Sequence, residues 1–195
     1  MLHQKELEKI ARQLGRTPQG VVDVAKYCLA GHPQVITSYP IRWRPDGPEI
    51  FPTLYWLTCP ALRRHVGALE TESWIERLQE MLDCGGQLAE RWQAAHREYA
   101  NKRLQLVPGD ELAELSLYYP AQAEALRETG IGGIRGRGIK CLHTHLADFL
   151  ADSKRLNPIG SLAAAILEDK GISVDFCFDY QLEGFCRGHD AANSS

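Results

Sequence analysis

Hydrophobic positions change period repeatedly along this chain, and each change marks a new element. Leu7, Ile10, Ala11 and Leu14 recur at i, i+3, i+4 and i+7 with charged residues between them, which predicts a short amphipathic helix stopped by Gly15. The run GVVDVAKYC, residues 20–28, is dense in β-branched residues. QVITSYPIRW follows the AGHP punctuation, and EIFPTLYWLTC follows the Pro-Asp-Gly turn of RPDGP. These three runs predict a β-meander whose first and third strands end on one edge of the sheet, which places Cys28 and Cys59 there.

From Pro60 the pattern is helical. Trp74, Ile75, Leu78, Met81 and Leu82 form one apolar stripe behind a capping-box spacing of Ser73 and Glu76, and DCGG at residues 83–86 ends it. A longer helix is predicted over about residues 87–106, with Leu88, Trp92, Ala95 and Tyr99 as its buried line and His96 beside that line. Two short helices broken at Pro120 follow. The glycine run GIGGIRGRG, residues 130–138, then leads into a helix over 139–152. After LNPIG, Ser161 reads as the cap of a last helix, and Ile172, Val174, Phe176, Phe178 and Tyr180 alternate with polar residues as a half-exposed strand. The expected fold class is therefore α+β: a small antiparallel β-meander covered by several helices, with one late extra strand. It forms a single domain over residues 1–183, followed by a loosely ordered tail over 184–195.

Composition narrows the function classes. With 195 residues and 44% apolar content, the chain builds a real core and excludes disordered or collagen-like architectures. Lys and Arg total 22 against 25 Asp and Glu, a net charge of −3. No whole-chain field attracts nucleic acid or an anionic membrane, so neither is an expected partner. No run approaches the ~20 apolar residues of a membrane span, and MLHQKELEKI carries charges where a signal peptide needs its apolar segment. A cytoplasmic location is expected. Six cysteines, none in a CxxC pair, are too few for a disulfide scaffold; in a reducing compartment they are core residues, metal ligands or reactive thiols.

The segments RQLGRTPQGVVDVAKYC, FPTLYWLTCP, AHREY, IKCLHTHLADFLA and NPIG, in this order, resemble the bacterial family called domain of unknown function 501. The resemblance spans roughly residues 10–160. It implies a cytosolic bacterial protein whose relatives are often encoded near division-initiator and exopolyphosphatase genes, and it implies no activity. At Asp148 relatives tend to carry His; both types bind metals, so the ligand set changes while the chemistry survives.

Two constellations carry the candidate chemistry. On a regular 139–152 helix, Cys141, His145 and Asp148 share one face at i, i+4 and i+7, a thiolate, an imidazole and a carboxylate suited to zinc or iron. If the helix begins only near Leu142, Cys141 lies in its first turn and converges with His143 instead. Cys28 and Cys59 at the sheet edge extend either set, and His96 is a fourth ligand or an orienting group. The competing reading makes the cysteines core residues and the His and Asp ordinary helix-surface groups. In GIGGIRGRGIK, Arg135, Arg137 and Lys140 on a glycine-rich turn before a helix favour phosphate or carboxylate, although neither a Walker nor a dinucleotide pattern is present. Its competing reading is a solvated surface loop. No catalytic residue is assigned. The resulting expectation is a protein holding zinc or iron through Cys28, Cys59, Cys141 and either His143 or His145, beside a loop that takes a small anionic ligand. Metal-assisted hydrolysis of such a ligand is its reaction class. The alternative is a non-catalytic interaction module that docks an acidic protein partner, linked to cell division.

Overall fold

The first helix, α1 (Gln4–Leu14), ends at Gly15, whose φ of +69° is the left-handed turn that glycine adopts without strain. The computed structural model describes residues 2–175. Strand β1 (Val21–Tyr27) pairs antiparallel with β2 (Pro33–Ser38). The expected second strand stops there because Pro40 offers no N–H to a ladder. A separate hairpin of β3 (Ile41–Arg44) and β4 (Gly47–Ile50) follows, and only then does β5 (Tyr55–Leu57) return to pair with β2. The sheet order is β1-β2-β5, so the meander exists with a hairpin inserted into its second connection.

The helical half comprises α2 (Pro60–Thr71), α3 (Trp74–Asp83), α4 (Gly86–Gln105), α5 (Gly109–Tyr118), α6 (Pro120–Glu128), α7 (Leu142–Ala151) and α8 (Pro158–Asp169), with a 3-10 turn at Ile131–Gly133. Together with the small antiparallel sheets this is an α+β fold. The main core joins Val35 and Leu57 of the sheet to Leu62 and Val66 of α2, Leu78 and Leu82 of α3, Leu142 and Leu146 of α7, and Ile159 and Leu167 of α8. Helix α7 packs against α8, α2 and the sheet, and His145 and Asp148 are buried with its apolar residues. Only its first turn keeps partly exposed polar residues, His143 and Thr144.

Three local expectations are corrected. Ser73 stands before α3 in the left-handed region at φ 60° and makes no side-chain cap bond, because the tight α2–α3 connection sets its conformation. Helix α8 begins three residues before Ser161: Asn157 is its cap, accepting from the Gly160 amide at 2.9 Å, and Pro158 occupies the first turn. The late strand is not formed over Ile172–Asp175, which is irregular and attached to the sheet by Leu29 N–H donating to the Asp175 carbonyl at 3.0 Å. The rest of that segment and the expected tail lie outside the described residues. Among the described residues no helix is long and apolar enough to cross a membrane.

Helices α7 and α8 approach through Gly160. A Cβ there would lie 2.2 Å from the His145 carbonyl oxygen and 2.5 Å from Cβ of Phe149. Gly160→Ala must push backbone from backbone, so a loss of about 1–3 kcal/mol is expected in urea unfolding. An unchanged midpoint would show that the two helices separate without cost.

Candidate metal centre

Helix α7 begins at Leu142, not at 139, because Gly138 sits at φ +153° and Cys141 is extended at φ −158°, ψ 149°. Cys141 supplies no cap. A residue from another helix does: Glu70, near the end of α2, accepts from the Leu142 amide at 2.6 Å, placing a carboxylate at the positive end of the α7 dipole. The same oxygen lies 3.0 Å from Nδ1 of His143, whose Nε2 lies 3.0 Å from the Arg63 carbonyl. A carbonyl only accepts, so Nε2 carries the hydrogen. Nδ1 is then a lone pair facing a carboxylate unless a proton or another cation stands between them. Cys141 completes the group: Glu70, Cys141 and His143 each offer a ligand atom within 4.8 Å of the others'.

The late start of α7 decides which residues meet. Extended backbone at Cys141 removes it from the helical face of His145 and Asp148 and turns it toward His143, so the i, i+4, i+7 triad is not assembled. Cys141 Sγ also lies 3.3 Å from Oγ1 of Thr144, one turn into the helix. Cys141, His143 and Thr144 line a cavity of about 340 Å³ with Arg16, Arg63 and Lys140 on its wall. Arg63 is steadied by donating to the Gln13 carbonyl at 3.2 Å, and Arg16 lies 5.6 Å from the Trp56 ring centroid.

The other expected site residues go elsewhere. Cys28 and Cys59 flank the start of β2, their amides donating to the carbonyls of His32 and Gln34, and both are buried in the main core. They are not members of the Glu70, Cys141 and His143 group. His145 and Asp148 are held by one residue, Asn157: its Oδ1 lies 3.3 Å from His145 Nδ1, and its amide donates to Asp148 at 2.9 Å. Burial pushes the Asp148 carboxyl up to about 6, against the opposing pull of Asn157 and Lys102, while Asp152 and Glu98 push it further up. Burial also lowers His145 to about 4, opposed by its Asn157 hydrogen bond. His96 stacks on Trp92 with ring centroids 3.8 Å apart and lies 6.0 Å from His145. Burial, with His145 as a second cause, lowers it to about 3. The Nε2 atoms of both histidines are buried without a hydrogen-bond partner among the described residues.

The cationic loop is divided. Arg135 pairs with Glu124 at 3.3 Å in the open, Arg137 lines a different groove, and Lys140 lines the cavity of Cys141. Three contributors, Glu70, Arg63 and Arg16, had no signal in local spacing, because each reaches α7 or its cavity from a distant segment.

The fold and the site define an α+β domain carrying a Glu/Cys/His group close enough to hold a metal, on the wall of a cationic cavity. The chain belongs to the family described as protein of unknown function (DUF501), whose model matches residues 24–165. No curated protein matches the chain, and no solved structure does.

Proposed function

We propose that this protein binds a divalent transition metal, zinc or iron, through Glu70, Cys141 and His143, and uses the adjoining cavity for the anionic group of a small molecule. One observation carries the reading: His143 donates from Nε2 to a backbone carbonyl and turns Nδ1 toward a carboxylate 3.0 Å away. Metal-ligating histidines are oriented in this way, with one nitrogen donating to a carbonyl and the other free for the ion. Thiolate, imidazole and carboxylate are a donor set that zinc accepts, and three protein ligands leave a position open for water or substrate. A metal there would polarise a bound carbonyl or phosphoryl oxygen and activate water. Arg16, Arg63 and Lys140 supply the charge that retains a phosphate or carboxylate beside it. Metal-assisted hydrolysis of a small anionic substrate is the reaction class that this combination serves.

The test is elemental mass spectrometry on untagged protein, with calorimetric titration of zinc into the chelated protein. Binding of about one zinc is expected, with proton release because cysteine binds the ion as a thiolate. Cys141→Ser and His143→Gln should each weaken binding by more than the roughly 10–100-fold that loss of an outer-shell partner costs. Cys84→Ser, at an exposed position, should change nothing. Folded protein that neither carries nor takes up metal overturns the reading.

A further inference from the structure

We propose that the groove between α4, the end of α6 and the glycine loop is a second binding site, for a small molecule bearing a phosphate or pyrophosphate group. Its construction starts on α4, where Trp92, His96 and Ala100 succeed one another on one face and form the floor. Gly130 closes against that floor. A Cβ at this position would stand 1.9 Å from Nδ1 of His96, so only glycine lets the chain leaving α6 pass over the imidazole. The loop that follows forms the opposite wall and encloses a groove of about 450 Å³, within the range of roughly 300–1,000 Å³ that small-molecule sites occupy.

Three arginines from three elements meet on this groove: Arg97 from α4, Arg127 from α6 and Arg137 from the loop. Glu128 is the one acidic residue on the same wall. None of the three arginines forms an ion pair with a carboxylate among the described residues; Arg127 donates instead to the Ser116 hydroxyl at 2.7 Å. On a chain of net charge −3, this is a local reversal of sign around a concave surface. Three guanidinium groups lining one groove add their positive potentials there, and a dianion in it would accept charge-assisted hydrogen bonds from their N–H donors. Burial keeps His96 uncharged, so the floor is neutral and the charge sits at the rim. That arrangement fits an anionic head at the arginines and an uncharged body over the imidazole, Ala100 and Ile134. A concave groove with converging rim charges favours one small molecule over an extended acidic peptide.

The site is separable from the metal centre, because its arginines are not those of the Cys141 cavity. Sodium pyrophosphate titrated into chelated full-length protein, followed by calorimetry and by amide NMR shifts, tests it. Saturable binding is expected, with shifts at Gly136 and Arg137. The double variant Arg97→Gln, Arg137→Gln should weaken it about tenfold or more, because two guanidinium groups no longer donate to the anion. Both side chains are exposed, and an unchanged thermal melt would show that this variant folds. Every titration is made in an Arg16→Gln, Lys140→Gln background, which removes two cations of the other cavity so that anion binding there does not enter the readout. Binding that never saturates, or that survives the Arg97 and Arg137 changes, overturns the proposal. So does tighter binding of a poly-glutamate peptide than of pyrophosphate, which would make the groove a protein-docking surface.

Discussion

Replacing Arg103 by Met should destabilise the protein by about 3–5 kcal/mol, because three backbone carbonyls lose the donors that a buried guanidinium supplies. Arg103 is fully buried on α4 and has no carboxylate partner among the described residues. Its guanidinium spends its donors on backbone oxygens instead. Nε and Nη2 donate to the Leu126 carbonyl at 3.0 and 2.6 Å, Nη2 also donates to the Thr129 carbonyl, and Nη1 donates to Pro52 at 2.9 Å. Leu126 and Thr129 stand at the C-terminal end of α6, where helix carbonyls have no intrahelical partner and the dipole is negative. One side chain thus caps α6, holds the loop before β5 and ties both to α4. Met fills much of the same volume but leaves three carbonyls dry, each costing about 1–3 kcal/mol before the structure relaxes. Lys keeps the charge and loses the planar fork, so Arg103→Lys should recover only part of the loss. For a chain of this length, the Met variant should lower Tm by roughly 10 °C. A shift of a degree or two in calorimetry would show that water replaces the guanidinium at little cost.

The same distance between sequence and contact explains which parts of the fold were legible in the sequence. Period-3.6 and period-2 patterns report what lies on an element's own faces, so α1, α4 and the paired strands of the sheet were readable. They do not report where an element begins. The start of α7 is set by Gly138, by the extended Cys141 and by Glu70 arriving from α2, and this shift decides that Cys141 meets His143 and not His145. The hairpin of β3 and β4 was legible as a turn at RPDGP, but its separation from the sheet depends on the break at Pro40. In the glycine run, Gly130 and Gly133 are fixed by His96 and Pro52 across tertiary contacts, while Arg135 and Arg137 are exposed. One local pattern therefore contains both a packed turn and a charged rim. The site residues that spacing could name are those on α7, and those it could not are the groups that other segments aim at α7.

Below pH 6.5 the metal-free protein should lose about 4 kcal/mol of stability by pH 4, through three buried groups that α7 and α4 share. His96 titrates at about 3 and His145 at about 4 in the folded chain, against 6.5 when exposed. Their stabilising contribution is complete above pH 6.5 and falls as the unfolded chain takes up protons that the folded chain refuses. Asp148 acts with the opposite sign. Its folded value of about 6 exceeds its ordinary 3.8, so the folded chain binds the extra proton between those values and partly offsets the histidines. Over pH 6.5 to 4 each histidine contributes about 2.5 pH units of difference and Asp148 returns about 2, leaving about 3 units at 1.36 kcal/mol each. Lys102, Asp152 and Glu98 face Asp148 and are already included in its value. His65, lowered by burial and by Arg64, adds to the loss in the same direction. Urea titrations across this window, with chelator present, measure the curve directly. His96→Phe should keep the stack on Trp92 and remove one histidine, leaving a drop of less than about 1 kcal/mol from these groups. Asp148→Asn should do the reverse, steepening the drop to about 7 kcal/mol while raising stability above pH 6, where the wild type must hold a buried carboxylate. Parallel curves for wild type and His96→Phe would mean that the buried imidazole already gains its proton in the folded state. In that case its unpartnered Nε2 has an acceptor that the folded chain supplies only on acidification.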